Sequence, residues 1–220
     1  MPAFVSDTFT DTTGVLLQDH TGEIGASWTK HPGYTGDATI DTNVLYGAGI
    51  AVFDQYYASG VPDGADYYVQ ASLVFKTSVA SAQWYITGRT DHTVAAGQDT
   101  YYYISYLQNN AVWSLGKSVA GTATELGSFA QADGADHVAR LFMSGTTIQE
   151  SIDDALQVSV VDSAISAAGR VGLGLLNVTG SPLVDYSLDT FSAVSPGVPL
   201  LNVGGIYQPF QLWLEEDLLE

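Results

Sequence analysis

The strongest constraint on this chain is its rhythm. Before residue 205, apolar residues almost never recur at the spacing of a helix; short β-branched and aromatic runs recur instead, bounded by Gly, Asp, Asn and Ser clusters. The runs fall at 6–10, 39–40, 49–53, 67–75, 82–89, 100–107, 111–117, 124–129, 137–144, 147–152, 169–175 and 186–193. Many short strands joined by short links predict antiparallel pairing in an all-β sandwich or barrel. The stretch 153–163 is ambiguous: Leu156, Val158 and Val160 alternate, but an irregular segment fits as well.

Two hairpins are legible. Tyr101–Leu107 and Val112–Lys117 flank Gln108-Asn109-Asn110, and Asn tolerates the positive φ of a tight turn. His137–Met143 and Ile148–Ile152 flank Ser144-Gly145-Thr146, where Gly supplies the same freedom. Alternation in Ala139/Leu141/Met143, Ile148/Ile152 and Val171/Leu173/Leu175 marks core-facing positions. Asp7-Thr8-Phe9 is echoed by Asp189-Thr190-Phe191. Terminal strands pairing side by side would put both Phe rings in one core and both Asp residues close together.

The pattern changes near 192–199, so a sandwich over 1–193 and a C-terminal arm over 194–220 are expected. Pro209 can open a short helix with Phe210, Trp213 and Leu214 on one side. A helix this short is marginal alone. Ile206, Tyr207, Phe210, Trp213 and Leu214 are therefore candidates for docking on a partner, on a second copy, or back on the same domain.

The chain carries 6 Lys and Arg against 24 Asp and Glu, a net charge of −18 that repels phosphate backbones, so nucleic-acid binding is not expected. Without cysteine there are no disulfides, thiolate zinc sites or cysteine nucleophiles. The opening Met1-Pro2-Ala3-Phe4-Val5-Ser6-Asp7 has neither a basic stretch nor a long apolar run, and no signal peptide is expected. Proline and glycine interrupt the uncharged stretch 190–214, which argues against a membrane helix. Only 14% of residues are charged, and with so many aromatics this suggests surface covered by other subunits, and so a homo-oligomer.

Several local patterns together resemble the concanavalin A-like lectin and glucanase superfamily, especially its laminin G-like and phage-encoded domains. They are Asp7-Thr8-Phe9 with Gly14 and Trp28-Thr29; Tyr101-Tyr102-Tyr103-Ile104-Ser105-Tyr106 followed by Trp113-Ser114-Leu115-Gly116-Lys117; Ser144-Gly145-Thr146-Thr147-Ile148 leading to Ser151-Ile152-Asp153-Asp154; and Gly169-Arg170-Val171-Gly172-Leu173 before Leu188-Asp189-Thr190-Phe191. The resemblance spans roughly 4–193 and implies a two-sheet antiparallel jelly-roll sandwich. It implies glycan binding, glycoside cleavage, or adhesion and virion roles, among which a fold cannot choose.

Glycosidases need two carboxylates straddling a sugar bond. The nearest pattern, Glu150-Ser151-Ile152-Asp153, puts its carboxylates on opposite faces of a strand, and these read as an exposed strand residue and a turn residue. His20, His31, His92 and His137 form no zinc-binding spacing and read as surface or turn residues. Calcium takes loop carboxylates and carbonyls; Asp7 with Asp189, or Asp11, Asp37 and Asp41, are its candidates, and no other cofactor is implied.

Tyr101, Tyr102, Tyr103, Tyr106, Trp84, Tyr85 and Trp113 occupy consecutive strands. One parity must face the core and the other can form a platform that stacks on sugar rings; the sequence leaves open which. Tyr102, Tyr106 and Trp113, with Arg89 and Asp91 beside them, are the candidate glycan contacts. The resulting expectation is a non-enzymatic protein: a virion structural or decoration component, assembled in a host cytoplasm with other virion proteins or own copies, whose lectin-like domain binds surface glycans. The alternatives are a stand-alone carbohydrate-binding module and, behind it, a glycoside hydrolase or lyase.

Overall fold

A computed structural model of the chain describes residues 2–47, 52–75, 83–92, 98–107, 111–131, 135–177, 187–195, 201–203 and 206–208. In chain order the strands are β1 (Ala3–Asp7), β2 (Trp28–Lys30), β3 (Ala38–Asp41), β4 (Val44–Gly47), β5 (Val52–Ala58), β6 (Tyr67–Val74), β7 (Gln83–Asp91), β8 (Thr100–Leu107), β9 (Val112–Val119), β10 (Thr122–Ala130), β11 (His137–Ser144), β12 (Thr147–Ile152), β13 (Ala155–Val161), β14 (Arg170–Asn177), β15 (Ser187–Val194), β16 (Leu201–Val203) and β17 (Ile206–Gln208). A 3-10 turn sits at Leu17–Asp19.

Strands β1 to β15 form two antiparallel sheets packed face to face, as the jelly-roll expectation requires. One runs β13-β12-β11-β6-β15-β4-β3, with β1 also on β15; the other runs β10-β9-β8-β7-β14-β5-β2. The ambiguous stretch 153–163 is resolved as β13, an edge strand. The β11–β12 hairpin closes through Gly145 at φ +53°, as its sequence predicts. Three more tight turns put two residues at positive φ: Thr42-Asn43, Ala120-Gly121 and Asp153-Asp154. That is the backbone a two-residue hairpin needs to follow the right-handed strand twist. The β8–β9 pairing is also as expected, while its turn at 108–110 lies outside the described residues.

The core lies between the sheets. Trp84, Tyr106 and Trp113 fill one end, with the two indoles edge-to-face at 5.3 Å. At the other, Phe9 and Phe191 flank Trp28, at 6.3 and 5.1 Å. The terminal strands do pair, β1 on β15, and both Phe rings share one core. Antiparallel register, however, sets Asp7 opposite Phe191, and Asp189 falls in an irregularity between Leu188 and Thr190.

Beyond β15, β16 and β17 form a two-stranded sheet of their own. Ile206 and Tyr207 lie on β17, and Phe210, Trp213 and Leu214 fall outside the described residues. No helix among the described residues is long and apolar enough to cross a membrane.

Candidate functional site: a tyrosine-lined sheet face

Strand parity decides which aromatics can meet a ligand. In the seven-stranded sheet, Trp84, Tyr102, Tyr106 and Trp113 point into the sandwich, and Tyr102 and Trp113 have no exposed surface. Three of the expected glycan contacts, Tyr102, Tyr106 and Trp113, are thus core residues with nothing to offer a sugar. Arg89 is also internal, 2% exposed. Its guanidinium donates to the carbonyls of Ala65, Ile165 and Gly145 at 2.7 to 3.0 Å, which ties the sheet end to three connecting segments.

The opposite parity faces outward. Cross-strand register aligns Glu125, Gly116, Tyr103, Thr87, Gly172 and Tyr57 in one row across the sheet. Ser128, Ser114, Ser105, Tyr85, Gly174 and Gln55 form the next. Each large ring therefore neighbours a glycine or a serine. Tyr103 leans over Gly116 and Tyr85 over Gly174; a Cβ on either glycine would meet the ring at 2.3 Å. The rings can lie against the sheet only because those side chains are missing. Tyr101 joins them, its plane 16° from that of Tyr85 and its centroid 5.9 Å from that of Tyr103. Tyr101 and Tyr103 are half-buried and form the accessible part, while Tyr85, Thr87 and Ser105 are buried beneath. Burial pushes the Tyr85, Tyr101 and Tyr103 phenols above their usual range, so they remain neutral hydrogen-bond donors at physiological pH. Along one border the Glu125 carboxylate accepts from Ser114 Oγ at 3.1 Å and Ser128 Oγ at 2.9 Å.

The face ends at a cavity of about 510 Å³ where the 164–170 loop crosses the end of β7. Asp91, His92, Thr100, Ile165 and Arg170 are among its lining residues. Asp91, alone among the five expected glycan contacts, is exposed there. His92 joins cavity to face, since its ring stacks 4.2 Å from Tyr57. Burial and the nearby Arg170 lower the His92 pKa, so its ring is neutral at pH 7. Beside the tyrosines, His31 Nε2 lies 2.9 Å from Asp99 Oδ1, both buried, and Tyr34 packs edge-on to His31. Burial raises the Asp99 carboxyl, opposed by the His31 charge.

The histidines also differ from expectation. His20, His31 and His137 are buried and each faces a carboxylate: Asp7 and Asp11, Asp99, and Asp153. Their partners are distant in sequence, so no local spacing reveals them. Glu150, expected on the surface, is fully buried, because it shares its parity with the core residues Ile148 and Ile152. Its carboxylate has no hydrogen-bond partner among the described residues, and burial pushes its pKa up to about 8.

Of the calcium candidates, Asp7 is held in a hydrogen-bond network. Its carboxylate already accepts from Phe9 N at 2.7 Å and Trp28 Nε1 at 2.6 Å, and meets His20 Nε2 at 3.0 Å. Asp11 is taken by His20 and Asp37 by Lys30. Among the described residues no three His, Asp or Glu are grouped to hold a metal ion.

No family model matches the chain, and no curated protein matches it. Solved structures do. Carbohydrate binding module CBM66 from Bacillus subtilis is 16% identical with a TM-score of 0.60, over 76% of this chain and 95% of that one. The VIP36 exoplasmic/lumenal domain, solved in a Ca2+/Man3GlcNAc-bound form, is 10% identical with a TM-score of 0.60, over 79% and 86%. The β-glucanase of Bacillus licheniformis is 9% identical with a TM-score of 0.55, over 88% and 99%. At these identities the likeness is one of fold: the chain has the jelly-roll sandwich shared by lectins, carbohydrate-binding modules and glucanases.

Proposed function

We propose that this protein is a non-catalytic glycan-binding protein whose ligand lies on the outward face of the seven-stranded sheet and reaches the end cavity. One observation carries the reading: Tyr101 and Tyr103 lie half-buried on a sheet face where Gly116 lets the Tyr103 ring rest against the strands and Tyr101 packs edge-on beside it. Aromatic faces of this kind stack on the C–H faces of sugar rings, and neighbouring serines, phenols and a carboxylate serve the hydroxyls. The similar solved structures include a carbohydrate-binding module and a mannose-glycan complex, which supports the same reading.

The outward-facing carboxylates are too far apart for cleavage, and Asp99, which lies nearer Asp91, is buried against His31. On this face the described strands carry Glu125 on β10 and Asp91 at the end of β7, with β9 and β8 between them. Three inter-strand steps separate carboxylates by about 14 Å. Glycosidase pairs sit within roughly 5 to 9.5 Å. The virion-structural reading draws on sequence features: the acidity, the absence of cysteine and the apolar arm at 194–220.

The test is retention of the full chain on immobilised polysaccharides, comparing the unaltered protein with Tyr101→Ala/Tyr103→Ala. Retention lost in the doubly substituted chain, with an unchanged circular dichroism spectrum, supports the site. Equal retention of both proteins removes it.

A further inference from the structure

Strand parity puts a carboxylate on the outer sheet face, and the chain buries it there. Asp99 precedes Tyr101 and Tyr103 by two and four residues, so alternation turns it to their side of the sheet. It is nevertheless only 2% exposed. Its cover comes from the connection between β2 and β3, where 31–37 lie in no strand. His31, also buried, sets Nε2 at 2.9 Å from Asp99 Oδ1. Gly33 N donates to His31 Nδ1 at 3.2 Å, which leaves the ring proton on Nε2, toward the carboxylate. His31 N donates to the Gln55 carbonyl on β5 at 2.9 Å, and Tyr34 N to the His31 carbonyl at 3.1 Å.

A buried ion pair contributes little net stability, and its best-attested use is to fix one arrangement among several. Here the turn it holds carries Tyr34, whose ring stands edge-on to His31 at 5.2 Å and is half-buried, like Tyr101 and Tyr103. Tyr34 also adjoins the tyrosine face. Burial raises the Tyr85 and Tyr101 phenols, and the nearby Tyr34 and Asp99 raise them further.

We propose that Tyr34 is a third ring of the glycan platform and that the buried His31–Asp99 pair positions it. This rests on the glycan-binding reading above. Tyr101 and Tyr103 are placed by the strand ladder, whereas Tyr34 comes from a connection that only these contacts tie to β5 and to the start of β8. Acid undoes the arrangement. A proton on His31 Nδ1 would face the Gly33 N–H, donor against donor. Burial holds the Asp99 carboxyl above its usual range, opposed by His31, so acid removes the negative partner as well. The other groups facing the pair are Tyr34 in its own turn, Tyr101 on β8, Tyr85 and Asp91 on β7, and His92 just beyond.

The experiment is affinity electrophoresis of the full chain in gels containing glucan, galactan, mannan, fructan or polygalacturonate, with the variants run in the polymer that retards the unaltered protein. Tyr34→Ala should weaken binding by about tenfold and Tyr34→Phe by no more than about twofold, since the ring is what stacks. Asp99→Asn should weaken it in the unaltered chain and change it by less than about twofold in the Tyr34→Ala chain, because it acts through Tyr34. Affinity of the unaltered chain should fall from about pH 7.5 to about pH 5, and that of Tyr34→Ala should stay level, a comparison that does not require Asp99→Asn to fold. Undiminished binding by Tyr34→Ala overturns the third ring, and equal effects of Asp99→Asn or of pH with and without Tyr34 overturn the positioning; both leave glycan binding standing. No retardation by any polymer overturns the glycan reading with them.

Discussion

The ring of Tyr103 lies across Gly116 on the neighbouring strand, so that a Cβ at position 116 would come within 2.3 Å of the tyrosine Cζ. What yields on substitution is the far end of a half-exposed side chain, not the backbone. Gly116→Val should therefore leave the sandwich folded while displacing the ring from its place. We expect glycan affinity to fall by roughly tenfold, equivalent to about 1.4 kcal/mol, with a small change in melting temperature. Titration calorimetry beside a thermal melt checks this, and unaltered affinity would detach Tyr103 from the site.

Adjacent tyrosines should behave oppositely. Tyr102 is buried, with its hydroxyl 2.6 Å from Asp162 Oδ1, and Tyr101 stands on the outer face. Tyr102→Ala empties a core position and should cost about 3 to 5 kcal/mol of stability. Tyr101→Ala should lower glycan affinity and leave the urea midpoint close to that of the unaltered chain. If instead Tyr102→Phe abolished binding in a folded protein, the assignment of the two faces would be reversed.

Asp7 joins three elements: β1, the 3-10 turn region through His20, and β2 through Trp28. Asp7→Ala would strand the indole N–H and His20 inside the protein, with an expected loss of about 3 kcal/mol. Burial lowers the His20 pKa, but hydrogen bonds to Asp11 and Asp7 outweigh it and the net shift is upward. A raised histidine pKa gives stability that is complete below about pH 6.5 and disappears as pH climbs through the folded value. His20→Gln should remove that part of the alkaline slope, which melting temperatures from pH 6 to pH 9 would show.

Glu150 has the same sign by another route. Its folded pKa of about 8 lies above its ordinary 4.5, so the neutral acid is the form the core accepts. Stability is complete below pH 4.5 and falls as pH rises toward 8. Glu150→Gln keeps the shape without the charge and should make the protein more stable at pH 9 by about 3 to 5 kcal/mol. An unchanged melt at pH 9 would mean that the carboxylate reaches water.

Turn chemistry was the most legible layer of the fold. Gly145 marks a hairpin turn in the sequence and has a positive φ in the structure, and so does Asp153, which reads as a turn residue. β13 was harder, because an exposed edge strand buries too little for alternation to be decisive. The candidate site was half legible. Consecutive aromatic strands mark the sheet, and Asp91 lies exposed at its end. Tyr102, Tyr106 and Trp113 were assigned to the wrong side, because Tyr101 and Tyr103 have the same chemistry one residue away. The signal lay in neighbours on other strands: Gly116 and Gly174 sit under tyrosines, whereas Leu115 and Leu173 pack in the core. Glu150 could have been read correctly from its two-residue spacing to Ile148 and Ile152.

Local chemistry by itself determined that this chain is all-β, where most of its strands lie and where several turns reverse, because propensity and turn conformation act over a few residues. Tertiary structure decided which tyrosines became core and which became surface, and which carboxylates met His20, His31 and His137. Alternation defines two faces of a strand without saying which is inside. That choice is made when the second sheet covers one of them, through pairings between residues as far apart in the chain as Ala3 and Val194.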